Sequence, residues 1–216
     1  MTTCALVAAS DFNADHFKAL NDAGGFDYVV AVDAGFAYLE KLGVKPDLAI
    51  GDFDSLGYVP KARRVSKHPK HKDQSDLELA LERVSTRRYS HVHVYGALGG
   101  RLDHTLANLQ LFASYAEQGF DITAIDMDCA LRVLVGPDAF DLPPFKSGTV
   151  SVFSATDVSH GVSERGLEYP LDDADLTNRT SLGLSNELIG QEVAVSVAEG
   201  TLYVFYPLTD SAAVSE

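Results

Sequence analysis

The chain has 216 residues, enough for one large domain or two modest ones with a buried core. Seventeen Lys and Arg stand against 31 Asp and Glu, a formal charge of −14 that argues against a nucleic-acid backbone or an anionic membrane as the main partner. No run of about 18 apolar residues occurs and no basic stretch followed by an apolar one opens the chain, so neither a transmembrane helix nor a signal peptide is expected, and the expected home is the cytoplasm. Cys4 and Cys129 lie far apart in apolar stretches and read as buried thiols of a reducing compartment.

Residues 4–9 form a first apolar strand that ends at Ser10-Asp11, and residues 13–23 carry helical spacing at Phe17 and Leu20 before Gly24-Gly25. Residues 28–32 are a second strand, with Asp33-Ala34-Gly35 at its end. A short helix over 36–42 closes on Gly43, and Lys45-Pro46 leads into the apolar strand Leu48-Ala49-Ile50, which delivers Gly51-Asp52-Phe53-Asp54-Ser55. This β-α-β-α-β order is that of a wound parallel sheet. Ligands of such sheets gather outside the carboxyl ends of the strands, so Asp33, Asp52 and Asp54 share a mouth. Two carboxylates separated by one residue repel unless a cation lies between them, and a hard cation such as Mg²⁺, with room for substrate phosphates, is their simplest use. An isolated Asp-x-Asp is more often a solvated turn, so the pair needs support from the rest of the chain.

The segment 59–72 is basic in an otherwise acidic chain and reads as a solvated loop, with Lys72 equally suited to meet phosphates. Leu77, Ala80, Leu81 and Val84 recur at helical spacing, Ser75 and Glu78 have the spacing of a capping box, and Asp73 and Asp76 read as first-turn acids. Residues 91–95 alternate as a strand, and Gly96-Ala97-Leu98-Gly99-Gly100-Arg101-Leu102-Asp103-His104 precedes a helix over about 105–118 that closes on Gly119. The glycines permit close backbone approach, Arg101 offers a fork for phosphate, and His104 and Asn108 share a helix face. The loop has neither a Walker A ending nor a GxGxxG pattern. Residues 122–126 and 131–135 are further strands. Beyond Gly136-Pro137 and Pro143-Pro144 helical patterning ceases: 149–153, 192–197 and 201–205 read as strands of a small antiparallel β domain. A polar loop over 180–187 interrupts them, and the tail 209–216 reads as disordered.

Taken in order, Asp33-Ala34-Gly35, the segment from Pro46 through Asp52, Asp54 and Ser55, Lys72-Asp73-Gln74-Ser75-Asp76, the 96–104 loop with Asn108, and Ser181-Leu182-Gly183-Leu184-Ser185-Asn186-Glu187 resemble the thiamine pyrophosphokinase (thiamine diphosphokinase) family over nearly the whole chain. The resemblance implies an α/β ATP-binding catalytic domain with a wound, mostly parallel sheet over residues 1–140, followed by a small all-β sandwich domain for thiamine over 145–210. It implies a homodimer with thiamine held near the subunit interface, and transfer of pyrophosphate from ATP to thiamine, giving thiamine diphosphate and AMP. Carried over by motif, Asp52, Asp54 and Asp76 hold Mg²⁺, and Asp103 completes the catalytic acids. Asp33, Ser55, Lys72, Ser75, Arg101, His104 and Asn108 line the ATP site, and Ser181, Ser185 and Asn186 the thiamine pocket. The general base stays open among Asp33, Asp54, Asp76 and Asp103. This chain has Ala34 where members often have Gly and Ser75 where they often have Thr, and it has no Trp to stack on thiamine as some relatives do.

The residues bear on two other readings. Asp52-Phe53-Asp54-Ser55 also resembles the nucleophile motif of haloacid-dehalogenase-type hydrolases, but that motif follows the first strand of its domain and this one the third. A non-catalytic ligand sensor would have no need of five convergent carboxylates.

Overall fold

The computed structural model describes residues 2–70, 72–86, 89 and 91–208. These residues divide into two compact units, one of those up to Leu111 with Phe120–Met127, the other of Phe112–Gly119 with those from Asp128 to Leu208.

The first unit contains β1 (Thr3–Val7), α1 (Ala14–Asp22), β2 (Tyr28–Val32), α2 (Phe36–Lys41), β3 (Leu48–Gly51), β4 (Val65–Lys67), α3 (Asp76–Ser85), β5 (His91–Tyr95), most of α4 (Leu102–Ala116) and β6 (Asp121–Ile125). Its strands lie in the order β6-β5-β1-β2-β3-β4, every pair parallel. β2 and β3 are buried along their whole length, as strands covered on both faces must be. Asn13 caps α1 by accepting the His16 N–H at 3.0 Å, and α3 buries Leu77, Ala80, Leu81 and Val84. After α2 the Gly43 N–H reaches the Glu40 carbonyl at 3.1 Å and the Val44 N–H reaches that of Leu39 at 2.9 Å, a Schellman ending.

In the first unit two elements differ from expectation. α4 begins at Leu102, three residues early, with its first turn on the open surface. The basic segment contains β4, which pairs with β3; three residues on a sheet edge carry no periodic signal.

The chain steps from β1 outward through β2, β3 and β4, then returns to the other side of β1 with β5 and β6. The order therefore reverses between β1 and β5, and the loops leaving these neighbours diverge to open a crevice at their carboxyl ends.

The second unit holds β7 (Cys129–Val135), β8 (Asp138–Leu142), β9 (Thr149–Ser154), β10 (Val158–Arg165), β11 (Leu171–Thr177), β12 (Asn186–Glu187), β13 (Val193–Val197) and β14 (Thr201–Pro207). They form the antiparallel sets β12-β9-β14-β7 and β11-β10-β13-β8. Alternate residues of both sets, among them Leu134, Val152, Val162, Leu176, Val195 and Leu202, meet in one apolar core, which makes the unit a β-sandwich. The α/β unit with a wound, mostly parallel sheet and the all-β unit are thus the architecture expected. β7 and β8 go with the sandwich because they pair with β14 and β13, so the change of character comes after Met127, ahead of the proline-rich stretch. The tail 209–216 lies outside the described residues. Among those residues no helix is long and apolar enough to cross a membrane.

Candidate active site

A cavity of about 460 Å³ opens at the crevice between β1 and β5. Ala8, Ala9, Ser10 and Asp11 line it from the end of β1, Asp33 from the end of β2, Tyr38 from α2, Ser75 and Asp76 from the start of α3, the 96–101 loop from β5, and His104 and Asn108 from α4. Glycine is required where that loop crosses the chain leaving β1. Gly96 has φ +63, and a Cβ there would stand 2.5 Å from the Ala8 carbonyl oxygen. α4 holds the loop from below: Asn108 Nδ2 donates to the Ala97 carbonyl at 2.7 Å, and Thr105 Oγ1 to that of Gly99 at 3.1 Å.

The acidic wall is tied together by backbone. Asp33, itself at φ +46, accepts the Phe53 N–H at 3.1 Å, and a Cβ on Gly51 would lie 3.0 Å from the Asp33 Cα, so the ends of β2 and β3 touch. Asp52 accepts the Asp54 N–H at 2.9 Å. Burial pushes the Asp33 carboxyl above the usual carboxylate range, the charges of Asp76 and Asp52 push it further, and hydrogen bonds from Ala34 N–H and Ser55 oppose them. Ser75 caps α3, its Oγ accepting the Glu78 N–H at 3.1 Å, which sets Asp76 in the first turn.

Cations already meet these acids. Lys72 Nζ donates to Asp76 Oδ1 at 2.8 Å, both side chains largely covered, and Lys70 Nζ stands 3.1 Å from Asp54 Oδ2 on open surface. Arg101 forks onto Asp103, Nε to Oδ1 at 3.1 Å and Nη2 to Oδ2 at 2.6 Å, and holds that exposed carboxyl below its usual range.

Of the sequence-predicted residues, the cavity gathers Asp33, Ser75, Asp76, Arg101, His104 and Asn108. Asp52, Asp54, Ser55, Lys72 and Asp103 flank it without lining it. Ser10, Asp11 and Tyr38 line it and were not singled out. The sequence marks Ser10 and Asp11 only as the end of the first strand, and Tyr38 only as part of the helix over 36–42. Tyr38 stacks on Phe12 with ring centres 4.9 Å apart and donates its hydroxyl to the Ser10 carbonyl at 3.0 Å. Among the described residues no three acidic, His or Cys side chains converge as a ready metal cluster. The donors nevertheless suit a hard divalent cation, being carboxylate oxygens whose charges oppose one another and now draw in Lys70 and Lys72.

The β-sandwich has a second cavity, of about 270 Å³, lined by Tyr169, Pro170, Leu171, Ser181, Leu182, Gly183, Leu184 and Asn186. Asn186 is turned inward: Oδ1 accepts the Tyr169 N–H at 3.0 Å, while Nδ2 donates to the Tyr169 carbonyl at 2.8 Å and to Glu164 Oε2 at 2.9 Å. Tyr169 itself is 65% exposed. Ser181 is on the wall; Ser185 is not, and its N–H donates to Ser151 Oγ at 2.9 Å.

Residues 23–124 match the family described as thiamin pyrophosphokinase, catalytic domain, and residues 140–202 that described as thiamin pyrophosphokinase, vitamin B1 binding domain. Over 181 residues, 80% of this chain and 84% of the relative, it is 30% identical to a thiamine pyrophosphokinase of Bacillus subtilis (strain 168). The chain belongs to the thiamine pyrophosphokinase family of enzymes. Thiamine pyrophosphokinase from Bacillus subtilis superposes with a TM-score of 0.80 at 26% identity, covering 97% of this chain and 100% of that one. Yeast thiamin pyrophosphokinase, at 13% identity and a TM-score of 0.77 over 96% of this chain and 86% of its own, shares the fold. The stretch matched to the thiamin pyrophosphokinase catalytic domain contains Asp33 through Asn108 but begins after Ser10 and Asp11. The stretch matched to the vitamin B1 binding domain contains the whole second cavity.

Proposed function

We propose that this family member transfers a pyrophosphoryl group from ATP to the thiamine hydroxyl with the help of Mg²⁺, releasing thiamine diphosphate and AMP, and that it does so in the cytoplasm as a homodimer with thiamine near the subunit interface. The observation that carries the reading is the cavity between β1 and β5. It joins an acidic wall to a glycine loop, a helix N-terminus and an arginine fork, the parts that phosphate chemistry uses.

Such a transfer asks the protein for alignment and charge neutralisation more than for covalent chemistry. Asp52, Asp54 and Asp76 would hold Mg²⁺, which when bound neutralises the phosphate oxygens. Lys72 and Arg101, now paired with Asp76 and Asp103, would exchange those carboxylates for phosphate oxygens. Ser75, Ser55, His104 and Asn108 supply hydrogen-bonding contacts along the nucleotide. Asp33, whose affinity for a proton is raised, suits the role of base for the attacking hydroxyl. In the second cavity Ser181 offers a hydroxyl and Tyr169 an aromatic face for the cationic rings, taking the place of the absent Trp. Asn186 would serve by holding Tyr169, and Ser185 by anchoring the loop to Ser151.

The test is AMP production from ATP and Mg²⁺ with and without thiamine, comparing the wild type with Asp52→Asn and Asp76→Asn. Thiamine-dependent AMP that falls at least about tenfold in each variant is expected from the loss of a metal-bound carboxylate. ADP or free phosphate as the product would overturn pyrophosphoryl transfer.

A further inference from the structure

Glu164 has no part in the chemistry above, yet it is an unusual residue for its place. It lies on the inward side of β10, wholly buried, opposite Leu171 of β11 and Val195 of β13. Its Oε1 has no hydrogen-bond partner among the described residues, and none of their ion pairs includes it. Burial pushes its carboxyl above the usual range against the pull of the Asn186 hydrogen bond. An apolar side chain would fill the same position in a β-sandwich at lower cost.

Among the described residues the carboxyl's one hydrogen bond leads to the second cavity. An amide has two N–H groups; Asn186 gives one to Glu164 Oε2 and the other to the Tyr169 carbonyl, while its oxygen takes the Tyr169 N–H. The acceptor on Glu164 thereby fixes the plane of the amide that holds both polar backbone groups of Tyr169. The opposite wall passes close to the same carboxyl. At Gly183, φ +92, a Cβ would collide with the Val152 carbonyl oxygen and come within 3.5 Å of Glu164 Oε1. We infer that Glu164 is a positioning residue for the second cavity, orienting Asn186 so that Tyr169 and the 181–186 loop keep a fixed separation. The inference rests on the thiamine reading of that cavity for its effect on catalysis, but not for its effect on the loop.

The experiment compares Glu164→Leu, which removes the acceptor, with Glu164→Gln, which keeps a carbonyl oxygen at the same reach. Amide exchange is followed at Tyr169 without substrate, and steady-state kinetics for thiamine and ATP are measured beside it. In Glu164→Leu the Tyr169 amide is expected to exchange about tenfold faster and the thiamine KM to rise about tenfold, with kcat and the ATP KM within about twofold; Glu164→Gln restores both. Unchanged Tyr169 exchange in Glu164→Leu, impairment of Glu164→Gln equal to that of Leu, or a joint loss of kcat and both affinities overturns the inference. Absence of thiamine-dependent AMP in the wild type would instead overturn the proposed function, and the exchange data would still decide the role of Glu164.

Discussion

Asp33 shows how a site residue can be legible in kind and hidden in condition. An acid at the carboxyl end of a buried strand can be read from Tyr28 through Asp33, but its left-handed backbone and the fields of Asp52 and Asp76 depend on β3 and α3 arriving beside it. Its carboxyl binds a proton more tightly folded than unfolded, so its contribution to stability is present below the ordinary value of 3.8 and lost as pH rises through the higher folded value. At pH 7 the ionised group therefore works against the fold. Asn keeps the acceptor for the Phe53 N–H and tolerates positive φ. Asp33→Asn should unfold at a higher urea midpoint than the wild type at pH 7, the gap closing as pH falls through the raised folded value towards 3.8 and the wild type regains its proton. AMP formation should fall at least about tenfold with the base removed. A midpoint at pH 7 equal to or below that of the wild type would mean that the crowding of carboxylates does not cost stability.

Among the elements, those with a strong local period were readable and those without one were not. β2 and β5 lie where apolar run and alternation put them, and α3 where Leu77, Ala80, Leu81 and Val84 put it. β10 escaped because its inward positions include Ser159 and Glu164, and β11 because Asp172, Asp173 and Asp175 mask an edge strand whose register with β10 shifts twice. Ser10 and Asp11 escaped at the site because only the pairing of β1 with β5, some 90 positions apart, brings them to the glycine loop. The capping of α3 was local and therefore visible, and it can be tested as an element. Ser75→Ala leaves the Glu78 N–H without its 3.1 Å acceptor and should cost about 1 kcal/mol in urea unfolding, with Ser75→Thr recovering most of it. Because the first turn carries Asp76 into the cavity, AMP formation should drop in Ser75→Ala beyond what the stability loss explains. Normal turnover in a destabilised Ser75→Ala would separate the cap from the placing of Asp76.

Over the whole molecule the −14 charge acts on two proposed substrates of opposite sign. A field of that sign raises the local concentration of a cation such as thiamine and lowers that of a nucleotide phosphate, and salt weakens both effects. The local acids act in the same sense, since the charges of Asp76 and Asp52 add to the affinity of Asp33 for a proton. Lys72 and Arg101 counter this only within reach of the phosphates, each being paired with a carboxylate. Raising ionic strength from about 0.01 M to about 0.1 M shortens the screening length from about 30 Å to about 10 Å. With Mg²⁺ constant, the thiamine KM should then rise about twofold to tenfold while the ATP KM holds or falls, and kcat should stay level because the screened interactions act on approach. Opposite responses of the two KM values would identify the field of the whole chain as the cause. A parallel rise in both would place the salt effect on the ion pairs of the cavity itself, and Lys72→Gln, which breaks the Asp76 pair, should then reproduce it at low salt.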